Sequence, residues 1–360
     1  MKKIRIILFL IFSFIMLPID TFSLSLSCRS CILMDTNSGR ILYEKNMNQQ
    51  RLIASTTKIM TAILAIESGK LDDIVEVGDE VLKMYGSNIY IEVGEKISLR
   101  DLLYGLMLRS GNDAAVVIAT YISGNEEKFV ELMNKKAKEL GMKNTIFNNC
   151  HGLDENTQNM STAYDMALLS RYVSNNSVYM EIVGTKKYTV KTDKKTYLWT
   201  NRNKLLFDYK YTTGGKTGYT PNAGKTLVTT AKKDGLNLTA VTLNDGNQYL
   251  SHKEMYEYGF NNYKLYKILD KNRIKIDDAY YKDKLYLKND FYYPLTDLET
   301  DNIKVKLIIE KLYNYENEQC VGNIYVFLNN DEIYRDKVYV SKKKNKSKNI
   351  FIRIKENLFG

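Results

Sequence analysis

The order in which hydrophobic periodicities follow one another constrains the fold of this chain more than any other feature. Short apolar runs at 31–35 (CILMD) and 40–44 (RILYE) flank Thr36-Asn37-Ser38-Gly39, a pattern that predicts a β-hairpin with a turn supplied by Asn, Ser and Gly. From Ser55 the period changes. Ile59, Ala62, Ile63 and Ile66 form the i, i+3, i+4, i+7 stripe of a buried helix that ends near Gly69. Helical patterning runs from Leu102 to Met107, breaks at Ser110-Gly111-Asn112, resumes from Asp113 to Ile122, and returns at 127–141 and 162–173. Strand patterns reappear at 212–219, 225–231 and 237–243, the last two joined by Lys233-Asp234-Gly235, and Leu250 to Tyr263 is again helical. Strands at both ends with helices inserted between them imply one α+β domain over residues 28–265, its sheet completed by non-adjacent parts of the chain.

Beyond about residue 265 the alternation of Ile303, Val305, Leu307 and Ile309, and of Ile324, Val326 and Leu328 before Asn329-Asn330-Asp331, predicts a small all-β domain over 266–341. Residues 342–360 form a basic tail, with lysines at 342–344, 346 and 348 followed by Ile350, Phe351, Ile354 and Leu358. Those spacings fit a short amphipathic helix on an anionic membrane surface. A final strand or a frayed basic tail is the favoured reading, because so short a helix is marginal alone.

Residues 1–27 have the layout of a secretory signal: MKKIR is positive, 6–17 is apolar, and small residues follow at Ser23, Ser25 and Ser27. The apolar run falls short of the ~20 residues that a membrane span needs. Export is therefore expected, with action at the cell wall or the outer face of the cytoplasmic membrane. Cys28 lacks the aliphatic residue usual three positions before a lipidated cysteine, so lipidation is not expected. Cys28 and Cys31 form a C-x-x-C, but Cys31 opens a strand rather than the strand-then-helix context of a redox motif, and a small buried residue beside an incidental partner is the simpler reading.

The net charge of +10 favours polyanions in general, and export turns that preference toward wall polymer or anionic lipid rather than nucleic acid. Two histidines, His151 and His252, and four cysteines leave little material for a zinc site or a histidine-based triad. No metal or cofactor is expected.

Three short motifs appear in order: Ser55-Thr56-Thr57-Lys58, Ser110-Gly111-Asn112 and Lys216-Thr217-Gly218. Each is weak alone, and S-x-x-K recurs at Ser341 to Lys344 inside the lysine run. Their context raises the signal, since the first serine begins a buried helix, the second motif breaks two helices and the third lies on a strand. Three positions apart on a helix, Ser55 and Lys58 share a face at about 5–6 Å between Cβ atoms. A serine hydroxyl needs a base, and Lys58 serves only when neutral. Half-deprotonation at pH 7 requires lowering its pKa from about 10.4 by ~3.4, roughly 4.6 kcal/mol. Burial and the nearby cation of Lys216 both push that way. The backbone N–H of Ser55 and that of Tyr219 supply two oxyanion donors, Gly218 lets the strand approach closely, Thr217 offers a hydroxyl and Lys216 a charge for a substrate carboxylate.

The stretches IASTTKIMTAILAIESG (53–69), LLYGLMLRSGNDAAVVIA (102–119), CHGLD (150–154), STAYDMALLSRY (161–172) and GGKTGYT (214–220) resemble the serine-type D-alanyl-D-alanine carboxypeptidases, the low-molecular-mass penicillin-binding proteins. The resemblance covers about residues 29–265. It implies the fold shared by penicillin-binding proteins and serine β-lactamases, an antiparallel sheet flanked by helices. It also implies acyl transfer from peptidoglycan stem peptides, with Ser55 as nucleophile, Lys58 as base, Ser110 as proton relay and Asn112 as a clamp on the substrate amide, and inhibition by β-lactam antibiotics. One departure stands out. Many members hold the substrate's terminal carboxylate with an arginine before the last helix of the catalytic domain, and residues 244–260 contain none, although His252 lies nearby. A secreted β-lactamase shares the three motifs, but Ser-Gly-Asn in place of Ser-Asp-Asn, the appended β domain and the lack of an obvious Glu-bearing deacylation loop argue against it. A catalytically idle wall-binding protein is disfavoured by the intact nucleophile and lysines.

Overall fold

A computed structural model describes residues 24–341 apart from 275, 277–279 and 313. Most of the expected signal and all of the basic tail, including Lys344 of the second S-x-x-K, lie outside the described residues. The central sheet is antiparallel and built from β1 (Ser30–Asp35), β2 (Ile41–Lys45), β3 (Thr212–Thr220), β4 (Gly224–Lys233) and β5 (Leu236–Leu243), in the order β2-β1-β5-β4-β3. Early and late strands therefore do share one sheet, joined where β1 pairs β5 with Ile32 opposite Val241. β1 is buried along its whole length, and its period of two divides it between two cores. Ile32 and Met34 face the large helical core, whereas Cys31 and Leu33 face a smaller one beneath the last helix.

The longer helices are α1 (Lys58–Glu67), α2 (Leu99–Tyr104), α3 (Asn112–Ser123), α4 (Glu126–Glu139), α5 (Ala163–Val173), α6 (Ser177–Gly184) and α7 (Gln248–Asn262). Helix α1 is buried nearly all round, with Ile59, Met60, Ala62, Ile63 and Ala65 inside, which makes it the central helix of the larger core rather than an amphipathic cover. Asn125, Thr162 and Asn176 cap α4, α5 and α6 by accepting the backbone N–H three residues on.

Periodicity did not single out α6 or the hairpin of Lys187–Lys191 with Thr196–Thr200 that follows it. That hairpin stacks Tyr188 on Tyr104 of α2, with ring centroids 3.6 Å apart, and so closes one side of the helical core. The C-terminal region is all β. β6 (Lys264–Leu269) pairs β8 (Phe291–Leu295), and β7 (Leu285–Tyr286), β9 (Ile303–Ile309), β10 (Gln319–Leu328) and β11 (Asp331–Val340) form a sheet in the order β7-β11-β10-β9. Its core, which includes Leu285, Phe291, Val326 and Val338, is separate from the two upstream. Among the described residues no helix is long and apolar enough to cross a membrane.

Candidate active site

The three motifs converge where α1 meets the outer strand of the sheet. Ser55 lies in a 3₁₀ turn, Ala54–Thr57, that runs directly into α1. The turn is fixed from both sides. Thr56 returns its backbone N–H and its hydroxyl to the Ile53 carbonyl, at 3.2 and 2.6 Å. Gly152, at φ +89°, approaches so closely that a Cβ there would sit 2.0 Å from the Ala54 carbonyl oxygen and 2.9 Å from the Ser55 nitrogen. Gly218 does the same from β3, where an added Cβ would meet Thr226 Oγ1 at 2.3 Å and Ser55 N at 3.0 Å. Only glycine at 152 and 218 lets two backbones close on the serine.

Lys58 occupies the first turn of α1 with no exposed surface. Its Nζ donates to Ser55 Oγ at 3.2 Å, Asn112 Oδ1 at 2.7 Å and the His151 carbonyl at 2.5 Å. Burial lowers its pKa to about 7, and the charge of Arg202 pushes in the same direction. Three acceptors around the amine favour the ammonium form; burial outweighs them.

Ser110 ends the helical run Gly105–Arg109 in the left-handed region, at φ 66° and ψ 35°, which turns its hydroxyl into the site. Its Oγ accepts from Lys216 Nζ at 3.0 Å, and Lys216 also reaches the Thr217 carbonyl at 2.6 Å. Burial holds Lys216 well below the usual lysine range, aided by repulsion from Lys58 and Arg202. Asn112 opens α3 with its amide nitrogen 2.7 Å from the Tyr85 carbonyl and its backbone N–H on Ser87. The neighbouring Asp113 accepts backbone N–H bonds from Ile89 and Tyr90, so the segment 85–91 is pinned against the start of α3.

The structure thus gathers half-buried Ser55 and buried Lys58, Ser110, Asn112 and Lys216 into one cluster with Gly218 against it. Thr217 is half-buried on β3, and the Tyr219 side chain is exposed at the rim. β3 is the outer strand of the sheet, so one row of its backbone groups faces away from β4.

Two residues alter the sequence-based picture. His252 is sealed on the inner face of α7, with Nδ1 2.6 Å from Thr229 Oγ1 and Nε2 3.2 Å from Thr242 Oγ1, and burial lowers its pKa to about 3. It is a neutral core residue and takes no part in the cleft. Arg202, which no motif marks, does approach the cleft: its charge depresses both lysines. Its guanidinium donates to Ser87 Oγ at 2.6 Å, its N–H bonds the Leu108 carbonyl, and Tyr249 donates to its carbonyl oxygen at 3.2 Å.

Comparison with known proteins gives the family of the chain. Residues 20–247 match the family model described as D-alanyl-D-alanine carboxypeptidase. The chain is 37% identical over 265 residues to the D-alanyl-D-alanine carboxypeptidase DacF of Bacillus subtilis, covering 70% of this chain and 67% of that protein. It is 34% identical over 306 residues to DacD of Escherichia coli, covering 78% and 76% respectively. The crystal structure of penicillin binding protein 5 from Haemophilus influenzae is similar at a TM-score of 0.74 and 29% identity, over 89% of this chain and 98% of that one. With a match across more than half its length, the chain belongs to the D-alanyl-D-alanine carboxypeptidase family.

Proposed function

We propose that this protein removes the terminal D-alanine from peptidoglycan stem pentapeptides through an acyl-enzyme on Ser55, and that penicillins are trapped on the same serine. The carrying observation is the setting of Lys58. When its amine is neutral it has two hydrogens to give, and Asn112 Oδ1 and the His151 carbonyl are the two nearer acceptors. The lone pair is then left for the Ser55 hydroxyl at 3.2 Å, which becomes the donor. That is the arrangement of a general base on a nucleophile.

Ser55 Oγ attacks the carbonyl carbon of the penultimate D-alanine as its proton passes to Lys58. The oxyanion receives the N–H of Ser55 and that of Tyr219. The C–N bond then breaks as Ser110 protonates the leaving nitrogen, and the proton that Lys58 took from Ser55 is passed on to Ser110, leaving Lys58 neutral again. Water next attacks the ester and frees Ser55. Asn112 has one amide hydrogen beyond its bond to Tyr85 with which to hold the substrate backbone.

The terminal carboxylate falls to Lys216, Thr217 and Arg202, which answers for the arginine missing before α7. An arriving carboxylate raises the pKa of Lys216 and restores its charge at the moment it is needed. Stem peptides place the action outside the cytoplasm, and the basic tail at 342–360 adds an attraction for anionic lipid of about 1 kcal/mol per lysine near the surface. In the proposed division of labour, residues 28–265 carry the chemistry and 266–341 position it.

The test is mass spectrometry of the penicillin-treated protein with the adduct located by peptide mapping. An adduct on the Ser55 peptide that is lost in Ser55→Ala is expected; labelling retained on the mutant would overturn the assignment.

A further inference from the structure

A second pair of chemically capable side chains lies on the far face of the sheet and has no part in acyl transfer. Cys28 and Cys31 are both buried, 1% and 0% exposed, in the small core under α7 with Leu26, Leu33, Leu42 and Tyr256. Residues three apart in a straight strand point to opposite faces. Here the chain bends at Arg29 before β1 begins. The bend brings both thiols into the same core, where each is the other's hydrogen-bonding partner. The other two cysteines are placed elsewhere, Cys150 in the helical core and Cys320 exposed on β10.

We propose that Cys28 and Cys31 are a disulfide-forming pair that closes when the protein meets a small-molecule or protein disulfide, and that closure ties the start of the 28–265 domain to its first strand. The Cys28 thiolate attacks one sulfur of the oxidant, whose S–S bond breaks and releases one thiol. The Cys31 thiolate then attacks Cys28 Sγ in the mixed disulfide and releases the second. One S–S bond is made, one is broken, and two protons leave with the two released thiols. The pair is asymmetric in the sense this order needs. Hydrogen bonding from Cys31, with the charge of Lys45, holds the Cys28 thiol below its ordinary range despite burial, whereas Cys31 is pushed up.

Access is controlled by the segment that carries Cys28. Cys28 is buried in the small core with Cys31, Leu33 and Leu42. With these contacts made, neither sulfur reaches solvent. Exchange therefore passes through an undocked segment, and the closed pair is shielded from reductant once the segment docks. Export to an oxidising compartment is the setting in which such a pair persists.

The full-length protein is treated with glutathione disulfide, then denatured, alkylated and digested with trypsin without reduction. Trypsin cuts after Arg29, between the two cysteines, so a closed pair holds two peptides together until a thiol is added. Of the four thiols, two are expected to remain alkylatable, with the linked peptide absent from Cys28→Ser and Cys31→Ser. Four alkylatable thiols, a glutathione adduct persisting on either cysteine, or linkage to Cys150 or Cys320 would each overturn the proposal. Penicillin acylation, measured on the same samples, is expected to be equal in oxidised and reduced protein, so this result stands apart from the assignment of Ser55.

Discussion

On the proposed mechanism, acylation of Ser55 is gated by the proton on Lys58, and the pH at which the gate opens follows from burial. With a pKa of about 7 in place of 10.5, the neutral fraction is roughly 9% at pH 6, half at pH 7 and 91% at pH 8. Left at 10.5, the same amine would be neutral in only about 0.03% of molecules at pH 7, so burial raises the population of active base by more than a thousandfold. The second-order rate constant for acylation by a chromogenic β-lactam reports the free enzyme, and between pH 6 and 8 it should climb about tenfold along a single ionisation near 7. Lys58→Arg should remove that limb and lower the rate by about 10²–10⁴, because a guanidinium stays protonated. A profile flat from pH 6 to 8, an apparent pKa near 10, or near-normal acylation by Lys58→Arg would each refute the base assignment.

Gly218→Ala should slow acylation far more than it weakens the fold, because its Cβ would crowd Thr226 Oγ1 at 2.3 Å and Ser55 N at 3.0 Å, where the oxyanion forms; stopped-flow acylation beside thermal melting separates the two effects. Arg202→Gln should raise KM for a peptide ending in a free carboxylate, leave an amidated analogue less affected, and move the acid limb of the acylation profile to higher pH by withdrawing a charge that depresses Lys58. An equal loss on both peptides would place Arg202 outside the carboxylate site. Arg40→Ala should loosen the C-terminal region without altering small-peptide turnover. Its guanidinium bonds the Pro294 carbonyl and Glu299 and lies 5.2 Å from the Tyr263 ring, and losing charged hydrogen bonds of this kind costs about 1.5–3 kcal/mol. Limited proteolysis with a parallel D-alanine release assay checks it.

Much of this site was legible because its side chains lie close to local signals. Ser55 and Lys58 are three residues apart at a helix start, Ser110 and Asn112 flank a break between helices, and Lys216 lies in a strand whose alternation is visible. Strand pairing across some 200 residues followed from an economy argument, that early and late strands need one sheet, and Ile32 opposite Val241 is the result. Arg202 was not legible, since its position depends on tertiary contacts from Leu108, Ser87 and Tyr249, none near it in sequence. His252 misled for the converse reason: proximity along the chain to the missing arginine says nothing of the face on which a helical residue points. Lys58 was expected to feel Lys216 as its neighbouring cation, whereas the charge acting with burial on Lys58 is that of Arg202. The role of Gly152 was equally hidden, because a glycine demanded by a backbone across the site carries no local pattern.

Two buried lysines in one cluster set stability against function. The lowering of Lys58 from 10.5 to about 7 corresponds to roughly 5 kcal/mol of disfavoured charge at about 1.36 per pH unit, a large share of a stability of about 5–15 kcal/mol. Between about pH 7 and 10.5 the unfolded chain binds more protons at this position than the native one, so this group makes stability rise with pH across that window; below about 7 both states are protonated and the whole penalty remains. The fold carries it because α1, on which Lys58 sits, is enclosed by the largest apolar core of the molecule, where Ile59, Met60 and Ile63 are fully buried. The dry core that depresses the pKa is therefore the same one that supplies the stability the depression consumes. On the proposed reading a substrate carboxylate pairs with Lys216 and favours its charged form, so the ligand binds the native state preferentially and stabilises it. On that reading substrate recognition and the recharging of Lys216 are a single event, and the empty site is the less stable of the two states.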